Sequence, residues 1–263
     1  MRRTMKSILT GAFLVPALAA GLLAGTAGAA NAIANGEPVP DGHYRFSVKL
    51  TMTGIPTADG GRRNSACSGA LVAPQWVITA GHCFRTFDNV RVEYPVADLT
   101  TATVGRTDLA TGTGGHVVKV IAVRQSPTAD VSLAKLETPV FDVLPIRLGR
   151  RAPAIGAITR VTGYGSLTSS NPVPATHLQT GQMTVVSLSD SVTGMQAYAP
   201  NPDTAPCPYD SGAPFFLEKP GARPVLVALD SNGPSCPHSL VETAARTDNI
   251  AGWISDIIRP HSH

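Results

Sequence analysis

Short hydrophobic segments, some of them with alternating apolar and polar positions, recur along the chain after residue 45. Such segments, bounded by Gly, Pro and Asn, are typical of β-strands. The segments predicted as strands are 46–50, 71–72, 76–79, 102–105, 117–123, 158–161 and 224–229. Many short strands with little helical periodicity predict an all-β fold of the sandwich or barrel type.

The end of the chain shows a different periodicity. Apolar residues at three-to-four spacing predict one closing helix: Ile250, Trp253, Ile254, Ile257 and Ile258. Asp248 or Asn249 is the predicted N-cap, since short polar side chains satisfy the first free N–H groups of a helix. Two segments, 53–65 and 167–176, are predicted as exposed loops.

The first 32 residues have the pattern of a secretory signal peptide. Arg2, Arg3 and Lys6 precede an apolar run over 8–23, and small residues follow up to Ala32. The run is too short for a membrane anchor, and Ala-Asn-Ala at 30–32 matches a signal-peptidase site. We therefore expect cleavage before Ile33 and a secreted, extracellular domain over 33–263, without membrane association. A short pro-segment removed by another protease is the alternative.

Setting this segment aside removes the excess of basic residues. Three of the 21 basic residues and none of the 18 acidic residues precede Ile33, so the rest carries 18 of each. A balanced chain gives no electrostatic reason to bind nucleic acid or a membrane surface. Neither partner is expected.

A candidate nucleophile lies in the segment 207–214, Cys-Pro-Tyr-Asp-Ser-Gly-Ala-Pro, as Ser211. A serine hydroxyl reacts only when a histidine base and an orienting carboxylate assist it. His82 follows Thr-Ala-Gly and precedes Cys83, and Asp130 begins Asp-Val-Ser-Leu-Ala. The less specific interpretations are a structural histidine, a solvated turn aspartate and a serine in an ordinary polar turn.

These three blocks, in the order His, Asp, Ser, resemble the chymotrypsin/trypsin-like serine proteases. The resemblance covers the chain from Ile33 to the closing helix. It implies two six-stranded antiparallel β-barrels with a C-terminal helix packed on the second barrel. It also implies that His82 is the general base, that Asp130 orients it and that Ser211 is the nucleophile.

Four cysteines allow three disulfide connectivities. Local spacing favours Cys67–Cys83 and Cys207–Cys236, and both pairs match bridges of the resembled family. A zinc site built from the four cysteines lacks the usual Cys-x-x-Cys spacing, so no metal and no cofactor are predicted.

The resemblance also assigns supporting roles around the nucleophile. The backbone N–H groups of Tyr209 and Ser211 would form the oxyanion hole, and the freed amino group of Ile33 would pair with Asp210. Tyr209 departs from the family pattern, which has Gly there, and Tyr cannot adopt every backbone conformation open to Gly. A flipped Tyr209 peptide would remove one oxyanion donor.

The sequence allows two interpretations of which side chain is preferred before the cleaved bond. The position of the trypsin aspartate that selects basic residues is occupied by alanine here, which argues against ordinary trypsin specificity. Two carboxylates near the same pocket would instead accept Arg or Lys by another route, whereas a narrow pocket would prefer small or apolar side chains. The residues predicted around the substrate are Ala205, Asp230, Ser231, Asn232, Gly233 and Glu242.

The sequence thus predicts a secreted, monomeric serine endopeptidase that cleaves protein or peptide substrates through an acyl-enzyme. The alternative is a secreted binding protein of the same fold, inactive because Tyr209 disrupts the oxyanion hole. An esterase or lipase fits less well, since the chain lacks Gly-x-Ser-x-Gly.

Overall fold

The computed structural model describes residues 32–259, so the predicted signal peptide lies outside the described residues apart from Ala32. Strands are numbered along the chain from β1 (Glu37–Pro38). The first barrel is closed and antiparallel, in the strand order β2-β3-β4-β7-β6-β5. Its strands are β2 (Ser47–Pro56), β3 (Arg62–Ala73), β4 (Trp76–Ala80), β5 (Leu99–Val104), β6 (His116–Gln125) and β7 (Val131–Leu136).

The second barrel follows the short strand β8 (Arg147–Leu148), which pairs in parallel with β13. Its order is β10-β11-β14-β13-β12-β9, and pairing of β9 with β10 closes it, while β1 adds to β10. The strands are β9 (Ile158–Gly163), β10 (Gln179–Leu188), β11 (Val192–Ala199), β12 (Pro214–Leu217), β13 (Val225–Asn232) and β14 (Glu242–Arg246). The expected pair of six-stranded antiparallel barrels is confirmed.

Alternating side chains explain why these segments close into barrels. Along β2, Val48, Leu50 and Met52 are buried, whereas the residues between them are partly or fully exposed. One face of the strand therefore fills a barrel interior and the other faces outward. The largest core cluster continues from the first barrel into the second, where Phe216 packs edge-on against Phe46. The two barrels share one hydrophobic interface.

The predicted strand segments all overlap observed strands, but the loop predicted over 53–65 is wrong. Strand β2 continues to Pro56 and β3 begins at Arg62, with Ile55 opposite Arg63, so only 57–61 forms a turn. This hairpin is paired through its backbone and carries mostly polar, exposed side chains, so the hydrophobicity pattern does not reveal it. The segment 167–176 contains no strand or helix, as predicted.

The closing helix is confirmed as α1 (Ala251–Ile258), but the predicted cap is wrong. Ile250 occupies the N-cap without a side-chain cap bond. Asp248 instead accepts hydrogen bonds from Arg246, and Asn249 donates to the carbonyl of Asp190. These competing partners, close in space, draw both side chains away from the helix N-terminus.

The helix contacts the first barrel as well as the second barrel, on which it was expected to pack. Ile250 and Ile254 belong to the core cluster that the two barrels share, and the end of α1 lines a groove with residues 73–76 of the first barrel. The helix therefore packs at the interface between the barrels. Among residues 32–259, no helix has both the length and the apolar character needed to cross a bilayer.

Candidate active site

His82 and Asp130 are brought together by neighbouring strand ends. His82 lies in the short 3₁₀ turn Gly81–Phe84 directly after β4, and Asp130 directly precedes β7. Strands β4 and β7 pair, with Ala80 opposite Val131, so the end of one strand lies beside the start of the other. Because both positions are set by the same ladder of backbone hydrogen bonds, the two side chains meet without any long loop.

A disulfide holds the histidine segment to the barrel. Cys67 on β3 is bonded to Cys83, as predicted, and closes a loop with a sequence separation of 16 residues. A loop of this size corresponds to about 3 kcal/mol of stabilisation in the chain-entropy model. The residue next to His82 is thus covalently tied to a core strand.

Asp130 is held by several hydrogen bonds. Its Oδ2 lies 2.7 Å from His82 Nδ1 and accepts a hydrogen bond from Ser231 Oγ, also at 2.7 Å. Its Oδ1 accepts the backbone N–H of His82 at 2.8 Å. Burial opposes ionisation of this carboxyl, but the hydrogen bonds from His82 and Ser231 outweigh it and lower the pKa of Asp130 to about 2. Asp130 is therefore ionised at neutral pH.

An ionised Asp130 sets the tautomer of His82. A carboxylate can only accept, so the Nδ1 of His82 carries the hydrogen and the Nε2 of the neutral ring keeps a free lone pair. The guanidinium of Arg85 adds a weaker contact, with Nη2 at 3.8 Å from Asp130 Oδ1. The sequence did not single out Arg85.

Ser211 is fixed from both barrels. The backbone N–H of Ser68, on β3, donates to the Ser211 carbonyl at 2.9 Å, and Gly212 donates to Asp230 on β13 at 2.8 Å. Gly212 has a φ of +84°, and a Cβ there would lie 2.1 Å from Thr79 Oγ1. Only glycine fits so close to the first barrel. The Cys207–Cys236 disulfide, also as predicted, anchors the start of this loop.

The Ser211 and His82 side chains share two adjoining clefts. One, of about 560 Å³, lies beside the Cys67–Cys83 disulfide, and the other, of about 280 Å³, lies beside Cys207. Within residues 32–259, the Ser211 hydroxyl makes no hydrogen bond to His82. Catalytic hydrogen bonds are often long in unliganded sites and shorten when substrate binds.

The Tyr209 peptide has a defined orientation. Tyr209 adopts a φ of +78°, which is unusual for a residue other than glycine. The Pro208 carbonyl accepts the Ser166 N–H at 2.8 Å, and the Tyr209 carbonyl accepts Ser68 Oγ at 3.2 Å. Because N–H and C=O point in opposite directions in a trans peptide, the Tyr209 N–H is directed away from Ser166. In the described chain, the N–H groups of Tyr209 and Ser211 donate to no protein atom.

Asp210, which precedes Ser211 in the chain, is fully buried. Its carboxylate accepts the N–H groups of Gly165 at 2.8 Å and Cys207 at 3.0 Å. Burial nevertheless raises the pKa of Asp210 well above its usual range. Ile33 is also fully buried, and no hydrogen bond joins it to Asp210 in this chain, where Ile33 still follows Ala32.

A backbone bridge places the predicted N-terminus beside this segment. Ala34 pairs with Ala205 in antiparallel fashion, five positions before Asp210. Ala205 is therefore fully buried and does not line the smaller cleft, where Pro206 forms the wall instead. The other predicted substrate residues do line that cleft: Asp230, Ser231, Asn232, Gly233 and Glu242.

A buried pair that the sequence did not reveal lies at the smaller cleft, where Glu242 is a lining residue and His238 is not. His238 Nδ1 accepts the Leu240 N–H at 3.1 Å, so its Nε2 carries the hydrogen and donates to Glu242 Oε1 at 2.7 Å. Both side chains are more than nine-tenths buried. The Glu242 carboxylate lies directly behind Gly233, since a Cβ there would fall 1.7 Å from Oε2. No motif in this loop marks His238.

Asp230 adds a second carboxyl group to the same cleft. Its Oδ1 is buried and has no hydrogen-bond partner among residues 32–259. Burial, followed by the charge of Glu242, raises the pKa of Asp230 well above its usual range. Burial likewise raises the pKa of Glu242, although the hydrogen bond from His238 opposes the shift. The cleft thus holds acidic groups and, among its lining residues, no Lys or Arg.

Within 32–259, no group of three or more His, Cys, Asp or Glu side chains is arranged to hold a metal ion.

Comparison with known proteins adds independent information. The family model described as Trypsin matches residues 33–254. Serine protease 56 of Mus musculus is 28% identical over 241 residues, which covers 81% of this chain and 36% of that protein. Transmembrane protease serine 9 of Rattus norvegicus is 27% identical over 254 residues, covering 88% of this chain and 22% of that protein. The chain thus spans 36% or less of the length of these two relatives.

Proposed function

Because the chain belongs to the trypsin family of serine proteases, we propose that it is a secreted serine endopeptidase that hydrolyses protein or peptide substrates through an acyl-enzyme. In this proposal Ser211 is the nucleophile, His82 the general base and Asp130 the residue that orients it. The observation that carries the proposal is the 2.7 Å contact between His82 Nδ1 and Asp130 Oδ2, next to a cleft that His82 shares with Ser211.

The first chemical step follows from the tautomer of His82. The Ser211 Oγ attacks the substrate carbonyl carbon while its proton moves to the free Nε2 of His82. Asp130, ionised at neutral pH, stabilises the imidazolium that forms. The imidazolium then gives the proton to the leaving amine, and a water molecule repeats the sequence to release the acid.

The negative charge on the attacked carbonyl oxygen needs donors that are already oriented. The N–H groups of Tyr209 and Ser211 have no protein acceptor within the described residues, which supports their role as the oxyanion hole. The bond from Ser166 to the Pro208 carbonyl opposes a flip of the Tyr209 peptide. Loss of one such donor in a serine protease lowers the rate on the order of 10²–10³-fold.

Cleavage before Ile33 would complete the nucleophile side of the site. A freed ammonium at Ile33 would supply an ion-pair partner for buried Asp210, which has none within residues 32–259, although the charge of Lys49 acts on it. The Ala34–Ala205 bridge already holds this part of the chain beside the Asp210 segment. Export is supported by the basic, apolar and small-residue pattern of residues 1–32 and by two disulfides, which persist in oxidising compartments.

We further propose that the smaller cleft accepts a Lys or Arg side chain before the cleaved bond. Glu242 and Asp230 provide carboxyl oxygens there, and no cation lines the cleft. A buried carboxylate is stabilised most when an opposite charge with good hydrogen-bond geometry reaches it. Of the two interpretations left by the sequence, the acidic pocket is the one that these contacts favour.

The proposed activity is tested with protein that begins at Ile33 and a mixed library of chromogenic peptides. We expect hydrolysis that Ser211→Ala lowers on the order of 10⁴–10⁶-fold, since the nucleophile is lost while binding remains. Ser170→Ala, at an exposed serine of the neighbouring loop, is the matched control and should keep full activity.

Two results would contradict the proposal. Equal hydrolysis by the Ser211→Ala variant would exclude Ser211 as the nucleophile. Absence of hydrolysis, together with a lack of labelling by a sulfonyl fluoride, would favour the inactive binding protein, with the positive φ of Tyr209 as its structural cause.

A further inference from the structure

A basic groove lies outside the clefts at Ser211. It has a volume of about 530 Å³ and is formed by residues 147–154, which connect the barrels, together with the β12–β13 hairpin. It shares no lining residue with either cleft. Five exposed cationic side chains line it, and no Asp or Glu does: Arg147, Arg150, Arg151, Lys219 and Arg223.

None of these five cations forms an ion pair within residues 32–259. Elsewhere on the surface, Arg62 and Arg246 contact carboxylates at 3.1 Å and 2.8 Å. The acidic neighbour of Lys219 in sequence, Glu218, is engaged by Arg160 and by the Tyr44 hydroxyl. The positive charge of the groove is therefore not compensated from within the described chain.

This arrangement differs from the charge balance of the chain from Ile33 onward. After Ile33 the chain carries 18 basic and 18 acidic residues, yet five of the 18 basic residues meet at this groove. Like charges held together raise the local potential and destabilise the folded state slightly. A bound anion would offset the repulsion among these clustered cationic side chains.

Two of the arginines are already oriented by hydrogen bonds. Arg223 Nη2 donates to the Pro145 carbonyl at 2.6 Å, and Arg150 Nη2 donates to Ser255 Oγ at 3.4 Å. Each guanidinium has five N–H donors, so most remain available for a planar, two-point contact with a carboxylate. Less side-chain freedom is then lost on binding.

The floor of the groove is apolar, with Leu148, Leu217, Val225 and Val227 among its lining residues. A partner that fits must combine negative charges with aliphatic side chains. A peptide that contains both Asp or Glu and apolar residues has this combination, whereas a sulfated polysaccharide or a nucleic acid backbone has no aliphatic side chains to place on such a floor.

We propose that this groove binds an acidic, partly apolar peptide segment of another protein, with its carboxylates on the arginines of the rim and its apolar side chains on the floor. The site is separate from the proposed catalytic cleft. The proposal does not depend on the proposed endopeptidase activity.

The test measures fluorescence anisotropy with the protein that begins at Ile33 and short fluorescein-labelled peptides. A peptide that alternates Asp and Leu should bind at least about tenfold more tightly than one that alternates Asn and Leu, because charged hydrogen bonds are lost in the latter. Its affinity should fall when salt is raised from low to physiological ionic strength.

A triple variant locates the site. Arg150→Gln, Arg151→Gln and Arg223→Gln together should weaken binding of the Asp–Leu peptide at least about tenfold. The matched control, Arg62→Gln, Lys119→Gln and Arg124→Gln, removes the same charge from other exposed positions and should bind as the parent does. Circular dichroism checks that both variants are folded.

Three outcomes would overturn the proposal. Equal loss of binding in both triple variants would mean that net charge alone attracts the peptide. Equal affinity for a peptide that alternates Asp and Ser would exclude a role for the apolar floor. Tighter binding of a heparin fragment than of the Asp–Leu peptide would assign the groove to a sulfated polysaccharide instead.

Discussion

The two halves of the proposed catalytic site are built in different ways. His82 and Asp130 lie on the first barrel, at the ends of paired strands, and every hydrogen bond expected between them is present. Ser211 lies on the second barrel, in a loop that contains a non-glycine residue at positive φ and is backed by the buried carboxyl group of Asp210. The first half has its polar contacts in place, whereas in the second Asp210 forms no ion pair with any residue of 32–259.

The difference shows that the unfavourable burial of carboxyl groups is concentrated in one half of the site. A strand ladder and a disulfide position His82, the proposed base, through interactions that need no further partner. The nucleophile half contains Asp210 and Asp230, whose pKa values burial raises well above their usual range. Groups of this kind favour a cation, which would come from the freed Ile33 terminus for one and from substrate for the other. The nucleophile half should therefore be the half that responds to processing and to ligand.

Among the changes that test this contrast between the halves, Asp210→Asn should have the largest effect. In protein that begins with a free Ile33, we expect hydrolysis to fall on the order of 10²–10³-fold, because breaking a buried ion pair costs about 3–5 kcal/mol. In protein acetylated at Ile33, which has no terminal charge, activity should already be low and the same substitution should change it little. Initial rates on the best library peptide measure both.

Asp190→Asn, at an exposed position, is the control for the change of charge and should be without effect in either form. An equal response to Asp210→Asn in the free and acetylated forms would exclude an ion pair between the Ile33 ammonium and Asp210 as the cause. The contrast between the two halves would then rest on Tyr209 and Asp230.

An intermediate effect is expected from Glu242→Gln, which keeps the acceptor for His238 but removes the charge. The ratio of kcat/KM for peptides with Arg to those with Ala before the cleaved bond should fall on the order of 10–10²-fold, the range of a charged hydrogen bond. Hydrolysis of the Ala peptide should persist.

Glu137→Gln, on the surface of the first barrel, serves as the matched control. If Glu242→Gln leaves the ratio unchanged while Ser211→Ala abolishes hydrolysis, the acidic pocket is refuted and the endopeptidase proposal stands. The two proposals therefore fail separately.

The smallest effect should come from Tyr209→Gly. Glycine relieves the cost of the positive φ but loses more conformational entropy on folding, so the net change in the free energy of unfolding should stay within about 1 kcal/mol. Because the Tyr209 N–H is already free, kcat should change by less than about tenfold. Urea unfolding and steady-state kinetics measure the two quantities. A much larger increase in kcat would mean that Tyr209 keeps the oxyanion hole closed.

The sequence by itself determined the main features of the fold. Alternation at Val48, Leu50 and Met52 reports which face of a strand is buried, and that pattern survives in the barrel. Both disulfides follow from local spacing and family resemblance, and both are present. These features are local: they depend on neighbouring residues along the chain or on motifs that a family shares. The roles of His82, Asp130 and Ser211 remain predictions.

Only the tertiary structure decided the surroundings of the site. Ala205 is buried against Ala34, Pro206 forms the cleft wall, and His238 pairs with Glu242. Asp248 and Asn249 form hydrogen bonds with Arg246 and Asp190 instead of capping the helix. The basic groove joins residues 147–154 to a hairpin some seventy positions further along the chain. Such contacts depend on how distant segments pack, and hydrophobic periodicity carries no information about the distance between them.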